Sequence, residues 1–234
     1  MRRYFLHIAL VVAFISTASL GYAGLQDDID RATKIISEFQ QMPETAIPTS
    51  VLENCKGLAI ITKGKVGFIL SAGGGGGLVI AKNADGWSAP SNVVMGGGGL
   101  GFQIGAEVTD FVLVLNTDNA VNTFAKGGSL TLGGDASIAA GPVGRSAEAS
   151  VGTGEKGVIA IYSYSRSKGL FAGVSLQGTI LNEGKKTNEQ FYGQPVTADQ
   201  LLSGQIRAPK SAEPLYQALA GVVPAAIPVA EPVK

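Results

Sequence analysis

The chain has one histidine, His7, and one cysteine, Cys55. A single cysteine excludes an intramolecular disulfide. A single histidine excludes the paired-histidine zinc motifs, and if the N-terminal segment that carries His7 is cleaved, none remains for a Ser-His-Asp or Cys-His arrangement. Charge is also scarce. Lys, Arg, Asp and Glu make up 15% of the residues and sum to zero, against a usual share of about 25%. A neutral chain lacks the basic footprint of a general nucleic-acid binder. There is no G-x-x-x-x-G-K-[ST] loop and no EF-hand ligand run, and no apolar stretch approaches the roughly 20 residues that span a bilayer.

Glycine is what the chain has in abundance: 33 of 234 residues, about twice the usual ~7%. The glycines alternate with Val, Ile, Leu and Phe, which indicates closely packed strands rather than a flexible linker. Gly96, Gly98 and Gly101 satisfy G-x-G-x-x-G on paper, but the following residues alternate like a strand and leave no room for the helix that would face a pyrophosphate.

The first 23 residues have the three parts of an export signal: Arg2 and Arg3, an apolar run over Ile8–Ile15, and small residues closing at Gly21-Tyr22-Ala23. The expectation is a cleavable signal peptide cut after Ala23, with a periplasmic or secreted product of formal charge −2. The Arg2-Arg3 pair leaves the export route open between the general and twin-arginine pathways.

Leu25, Ile29, Ala32, Ile36 and Phe39 fall on one face of a helix over 25–42, with Asp27, Asp28 and Asp30 in its first turns and Pro43 beyond its end. Leu25, Ile29, Ile36 and Phe39 suit either a membrane-surface helix or a helix packed on a sheet. Ser50 and Glu53 have capping-box spacing for a second, short helix. From Gly57 onward the pattern is strand-like. The reading places strands at 58–62, 66–71, 78–82, 91–95, 100–107 and 109–115, with turns at Lys63-Gly64-Lys65, Gly73–Gly77, Asp85-Gly86 and Gly96–Gly99. Asp118 is read as the N-cap of a helix through Phe124. Further strands are expected at 130–132, 136–140, 147–151, 158–163, 170–174 and 178–181, and short helices at 187–192 and 198–202. The expected fold is α+β: a compact β-rich antiparallel sheet or barrel-like domain with an N-terminal amphipathic helix and short flanking helices. Residues 24–203 form the domain, and 204–234 carry a short helix and a Pro/Ala-rich tail.

The basic residues give the one candidate site. Lys63 and Lys65 flank one expected turn. Arg166 and Lys168 flank another, beside Tyr162 and Tyr164, and Lys185-Lys186 mark a third. Tips sharing one edge would contact anionic head groups; otherwise they serve solubility. Cys55 lies in an apolar stretch and reads as a buried small hydrophobe. No catalytic, metal or cofactor site is expected.

Several segments resemble the SYLF domain family: Pro48–Ile61 (PTSVLENCKGLAII), Asp85–Ser91 (DGWSAPS), residues 98–116, Thr131–Asp135 (TLGGD), Ala140–Ala149 (AGPVGRSAEA) and Tyr162–Gln177 (YSYSRSKGLFAGVSLQ). The resemblance implies a compact β-rich fold and binding to phospholipid membranes, with phosphoinositide ligands in eukaryotic members and actin binding in yeast relatives. Combined with the export reading, it implies a non-catalytic phospholipid-binding protein of the bacterial cell envelope for which actin binding is not expected. The alternative is a structural or interaction protein of the envelope that uses a Gly-rich sheet surface.

Overall fold

The computed structural model describes residues 24–41, 46–67, 70–100, 105–132, 138–141, 160–169 and 179–222. The fold is α+β, as the strand and helix periods imply. Helix α1 spans Leu25–Gln40 and α2 spans Thr49–Asn54. Strands β1 (Gly57–Gly67), β2 (Leu70–Asn83), β3 (Gly86–Trp87), β4 (Ser91–Leu100) and β5 (Gly105–Leu115) follow. After α3 (Asp118–Ala125) come β6 (Ser129–Thr131), β7 (Ile138–Ala140), β8 (Ile161–Gly169) and β9 (Ile180–Glu183). The described chain closes with α4 (Lys185–Tyr192), α5 (Ala198–Leu202), a 3-10 turn at Lys210–Ala212 and α6 (Glu213–Val222).

The strands form one sheet in the order β6-β9-β4-β2-β1-β5-β8-β7, with β3 paired to β2. The described pairs are antiparallel except β7 with β8. Both faces of its centre are covered. On one face Leu58, Ile60, Leu78, Ile80, Val112 and Val114 pack beneath α1, α2 and α6. On the other, Ala59, Ile61, Val79, Phe111, Leu113 and Leu115 pack against Phe124 of α3 and Leu202 of α5. A strand covered on both faces cannot alternate apolar with polar, which is why 111–115 reads Phe-Val-Leu-Val-Leu and why charge is rare. Each fully buried side chain of this size contributes about 1.5–3 kcal/mol.

Three local expectations are corrected. The segments Lys63-Gly64-Lys65, Gly73–Gly77 and Gly96–Gly99 are not turns; they are paired strand inside β1, β2 and β4, with Lys63–Lys65 opposite Gly73–Gly75 and with Gly73 and Gly74 opposite Gly97 and Gly96. The physical reason is close approach: a Cβ at Gly75 or Gly77 would collide with the carbonyl oxygen of Thr62 or Ile60 on β1. The cap of α3 is Thr117, not Asp118: its Oγ1 accepts the Ala120 N–H at 3.1 Å. The cap position of α2 is Pro48, and Ser50 lies inside the helix. The expected strands at 147–151 and 170–174 lie outside the described residues.

Helix α6 belongs to the core. Leu215 and Leu219 are buried against α1, and Gln40 Nε2 donates to the Ala218 carbonyl at 2.6 Å. Among the described residues the core therefore includes α6.

Candidate functional site

The helix residues singled out from the sequence share one environment. Leu25, Ile29, Ile36 and Phe39 are 0–2% exposed and pack on the sheet. Among the described residues no helix is long and apolar enough to cross a membrane.

Strand alternation puts Tyr162, Tyr164 and Arg166 on one face of β8, the face that α1 covers. Tyr164 is buried opposite Val112, its hydroxyl pKa pushed up by burial, and Tyr162 sits half-buried opposite Val114. Arg166 lies inside β8, opposite Asp110 of β5, which in turn lies opposite Thr62 of β1. Its Nη2 donates to Asp110 Oδ2 at 3.2 Å and to Glu38 of α1, while Thr62 Oγ1 donates to Asp110 Oδ1 at 2.8 Å. Burial alone would lower the guanidinium pKa; the bonds and charges of Glu38 and Asp110 outweigh it and hold the pKa above its ordinary value. Arg166 thus ties α1 to the sheet. Lys63 follows Thr62 in β1 and so belongs to the opposite face, half-buried beside Thr109. Lys65 pairs with Glu107 and Lys168 with Val108 in backbone register. Lys185 and Lys186 begin α4 and are exposed. Lys63 and Arg166 therefore lie on opposite faces of the sheet.

The next row of the sheet has a different character. Lys168, Val108, Gly64, Gly74, Gly96, Ile180 and Thr131 are direct register partners across seven strands. Val108 is 46% exposed and Ile180 42%, the two large apolar side chains left exposed among the described residues. Cross-strand partners share a face, so the three glycines between them form a bare backbone floor. At ~4.8 Å per strand the floor is about 19 Å wide. No backbone atom crowds it: a Cβ at Gly96 would meet nothing within 4 Å.

Other features are structural or small. The segment Ser88-Ala89-Pro90 is clamped by two tyrosines, Tyr216 Oη donating to the Ser88 carbonyl at 2.8 Å and Tyr192 Oη to the Pro90 carbonyl at 2.6 Å. A groove of about 220 Å³ lies among Ile36, Phe39, Ile47 and Leu52, and a polar cleft of about 430 Å³ lies between α3 and α5 at Asn122, Lys126, Lys185 and Asp199. Cys55 is buried, its Sγ donating to the Leu52 carbonyl at 3.1 Å, and burial pushes its thiol up to about 11. Among the described residues no three His, Cys, Asp or Glu side chains are grouped to hold a metal ion.

A family described as "Las17-binding protein actin regulator", Ysc84, matches residues 96–222, from the glycine floor through α6. The chain belongs to the Ysc84 family. This is the SYLF domain recognised from its motifs. Among its relatives are an SH3 domain-containing protein of Schizosaccharomyces pombe, 50% identical over 203 residues, and LAS seventeen-binding protein 3 of Saccharomyces cerevisiae, 46% identical over 201. SH3 domain-containing YSC84-like protein 1 of Bos taurus is 45% identical over 203. These matches cover 83–84% of this chain and 47%, 44% and 59% of the respective relatives, so the chain spans about half the length of the curated relatives it matches.

These relatives correct part of the sequence reading. They come from yeasts and cattle, and the family is described by actin regulation. That overturns the expectation of an exported phospholipid-binding protein of the bacterial envelope, together with its envelope-structural alternative and its periplasmic or secreted location. It equally overturns the exclusion of actin-related partners. The residues read as a signal peptide lie outside the described residues.

Proposed function

We propose that this Ysc84-family chain is an actin-regulating interaction domain that engages a Las17-type protein through the sheet surface bounded by Val108 and Ile180, without catalysis. Family membership supports the class of partner: the family description and the name of a Saccharomyces relative both specify Las17 binding. The row Val108-Gly64-Gly74-Gly96-Ile180 carries the reading of the surface. Exposed apolar side chains flank a floor wide enough for a helix of ~10–12 Å diameter, and the absence of side chains on the floor lets a partner reach the backbone closely. Lys168, next in the row, adds a basic residue at one end. The buried Cys55 thiol is poorly suited to nucleophilic work.

Because the relatives extend well beyond this domain, the test uses this chain alone with purified Las17, measured by calorimetry. The expected result is saturable binding that Val108→Asp with Ile180→Asp weakens at least about tenfold, a loss of ~1.4 kcal/mol, while the circular-dichroism melting curve is unchanged. Absence of binding by the unaltered chain would sink the proposal. Binding that both substitutions leave intact would move the contact elsewhere on the domain.

A further inference from the structure

The N-terminal half of α1 is joined to the sheet through a buried carboxyl that the apolar pattern does not require. Asp28 is 5% exposed. Asn92 Nδ2 of β4 donates to its Oδ2 at 2.7 Å and Arg31 Nη1 to its Oδ1 at 3.2 Å. Asn92 is held through its side-chain nitrogen and its backbone. Its Nδ2 also donates to the Gly77 carbonyl of β2 at 3.1 Å. Its backbone N–H donates to Asn188 Oδ1 of α4 at 2.7 Å, and its backbone carbonyl accepts the Gly184 N–H at 2.9 Å. Asn188 Nδ2 in turn donates to Ser91 Oγ at 3.1 Å. A Cβ at Gly184 would collide with Asn92 Oδ1, which is buried and has no hydrogen-bond partner among the described residues.

Asp28 therefore meets one fixed neutral donor and one movable charged donor. The charged groups that act on it, Arg31 and Asp27, belong to its own helix. β2 and β4 face the joint with the Gly77 carbonyl, Asn92 and Ser91, and α4 with Asn188, all uncharged. The charged residues of α4 (Lys185, Lys186 and Glu189) and of the α6 end (Lys210 and Glu213) are exposed. Arg31 keeps 41% of its side chain in solvent, so it can leave at small cost. Both carboxylate oxygens now accept; a proton on Oδ1 would take the place of the Arg31 bond.

We propose that Asp28 makes the joint between α1 and the sheet a proton-controlled clasp, tightened when its carboxyl takes up a proton and releases Arg31 to solvent. Burial raises the Asp28 pKa from 3.8 to about 6, against the lowering influence of Arg31 and Asn92. The docked helix then binds protons more readily than the undocked one. Its extra hold is complete below pH ~4 and is lost as pH rises through ~6. Between pH 7 and pH 5 the opening equilibrium of α1 should fall about tenfold, from the two pKa values and the linkage relation.

The test is a carboxyl-carbon NMR titration of the full chain, with amide hydrogen exchange of α1 corrected for intrinsic rates. The expected outcome is an Asp28 midpoint near pH 6 and about tenfold slower opening of α1 at pH 5 than at pH 7. Asp28→Asn should abolish the difference, and Arg31→Gln should move the midpoint upward. Should Asp28→Asn fail to fold, the titration of the unaltered chain and of Arg31→Gln decides alone. A midpoint below about pH 4.5, or equal opening at the two pH values, overturns the clasp; a midpoint unmoved by Arg31→Gln removes Arg31 from it.

Discussion

Arg166 of β8 and Asp110 of β5 are direct register partners, joined at 3.2 Å, and the same guanidinium also reaches Glu38 on the helix above. The pairing turns one row of the sheet into an anchor for α1. The Arg166 side chain is 16% exposed and that of Asp110 8%, so water screens the group weakly.

Replacing Arg166 with alanine removes the cation that Glu38 and Asp110 share, leaving Glu38 with the more distant, exposed Lys34 at 4.0 Å and Asp110 with the Thr62 hydroxyl. The expected loss is about 3 kcal/mol in urea denaturation, largely retained at high salt. Glu38→Gln leaves Arg166 paired to Asp110 and should cost about 1 kcal/mol. Equal small losses for both would show that the row does not anchor α1.

Two glycines in adjoining strands should respond in opposite ways. Gly77→Ala drives a methyl group into the Ile60 carbonyl and forces β1 and β2 apart; a loss of about 2 kcal/mol or more is expected. Gly96→Ala enters open space at an ordinary strand conformation, and should change stability by less than about 1 kcal/mol, in the stabilising direction. Thermal melts of the two variants check the contrast; similar losses would mean that the floor is sterically required.

Cys55 should be inert in the native protein. Burial pushes its thiol up to about 11, so at pH 8 it is overwhelmingly protonated as well as shielded. Labelling by an aromatic disulfide reagent should proceed only as fast as the domain unfolds, and should become immediate in urea. Rapid labelling without denaturant would contradict the burial of Cys55.

Elements whose cause is local were legible in the sequence. The spacing of Leu25, Ile29, Ala32, Ile36 and Phe39 marks α1, and Ala198–Leu202 was placed with its observed limits. The glycine runs mislead because flexibility and close approach leave the same residue behind; only the pairing of β2 with β1 and β4 shows which applies. Thr117 and Asp118 are equivalent capping candidates until the backbone decides which side chain reaches Ala120. The Asp28–Asn92–Asn188 joint had no sequence signal, since its members lie 64 and 96 residues apart. The export reading came from a local N-terminal pattern, and the relatives overturned it.

By itself, then, the sequence determined the α+β class, the family resemblance and the apolar face of α1. Composition and short-range periodicity act within a few residues, and long matching runs are specific. Tertiary structure alone decided that Arg166 is an internal anchor, that Asp28 is buried against an amide network, and that Val108 and Ile180 flank one bare row of glycines. The first and the last depend on strand register and the second on where α1 docks, and both bring together residues whose positions in the chain carry no mark of their meeting.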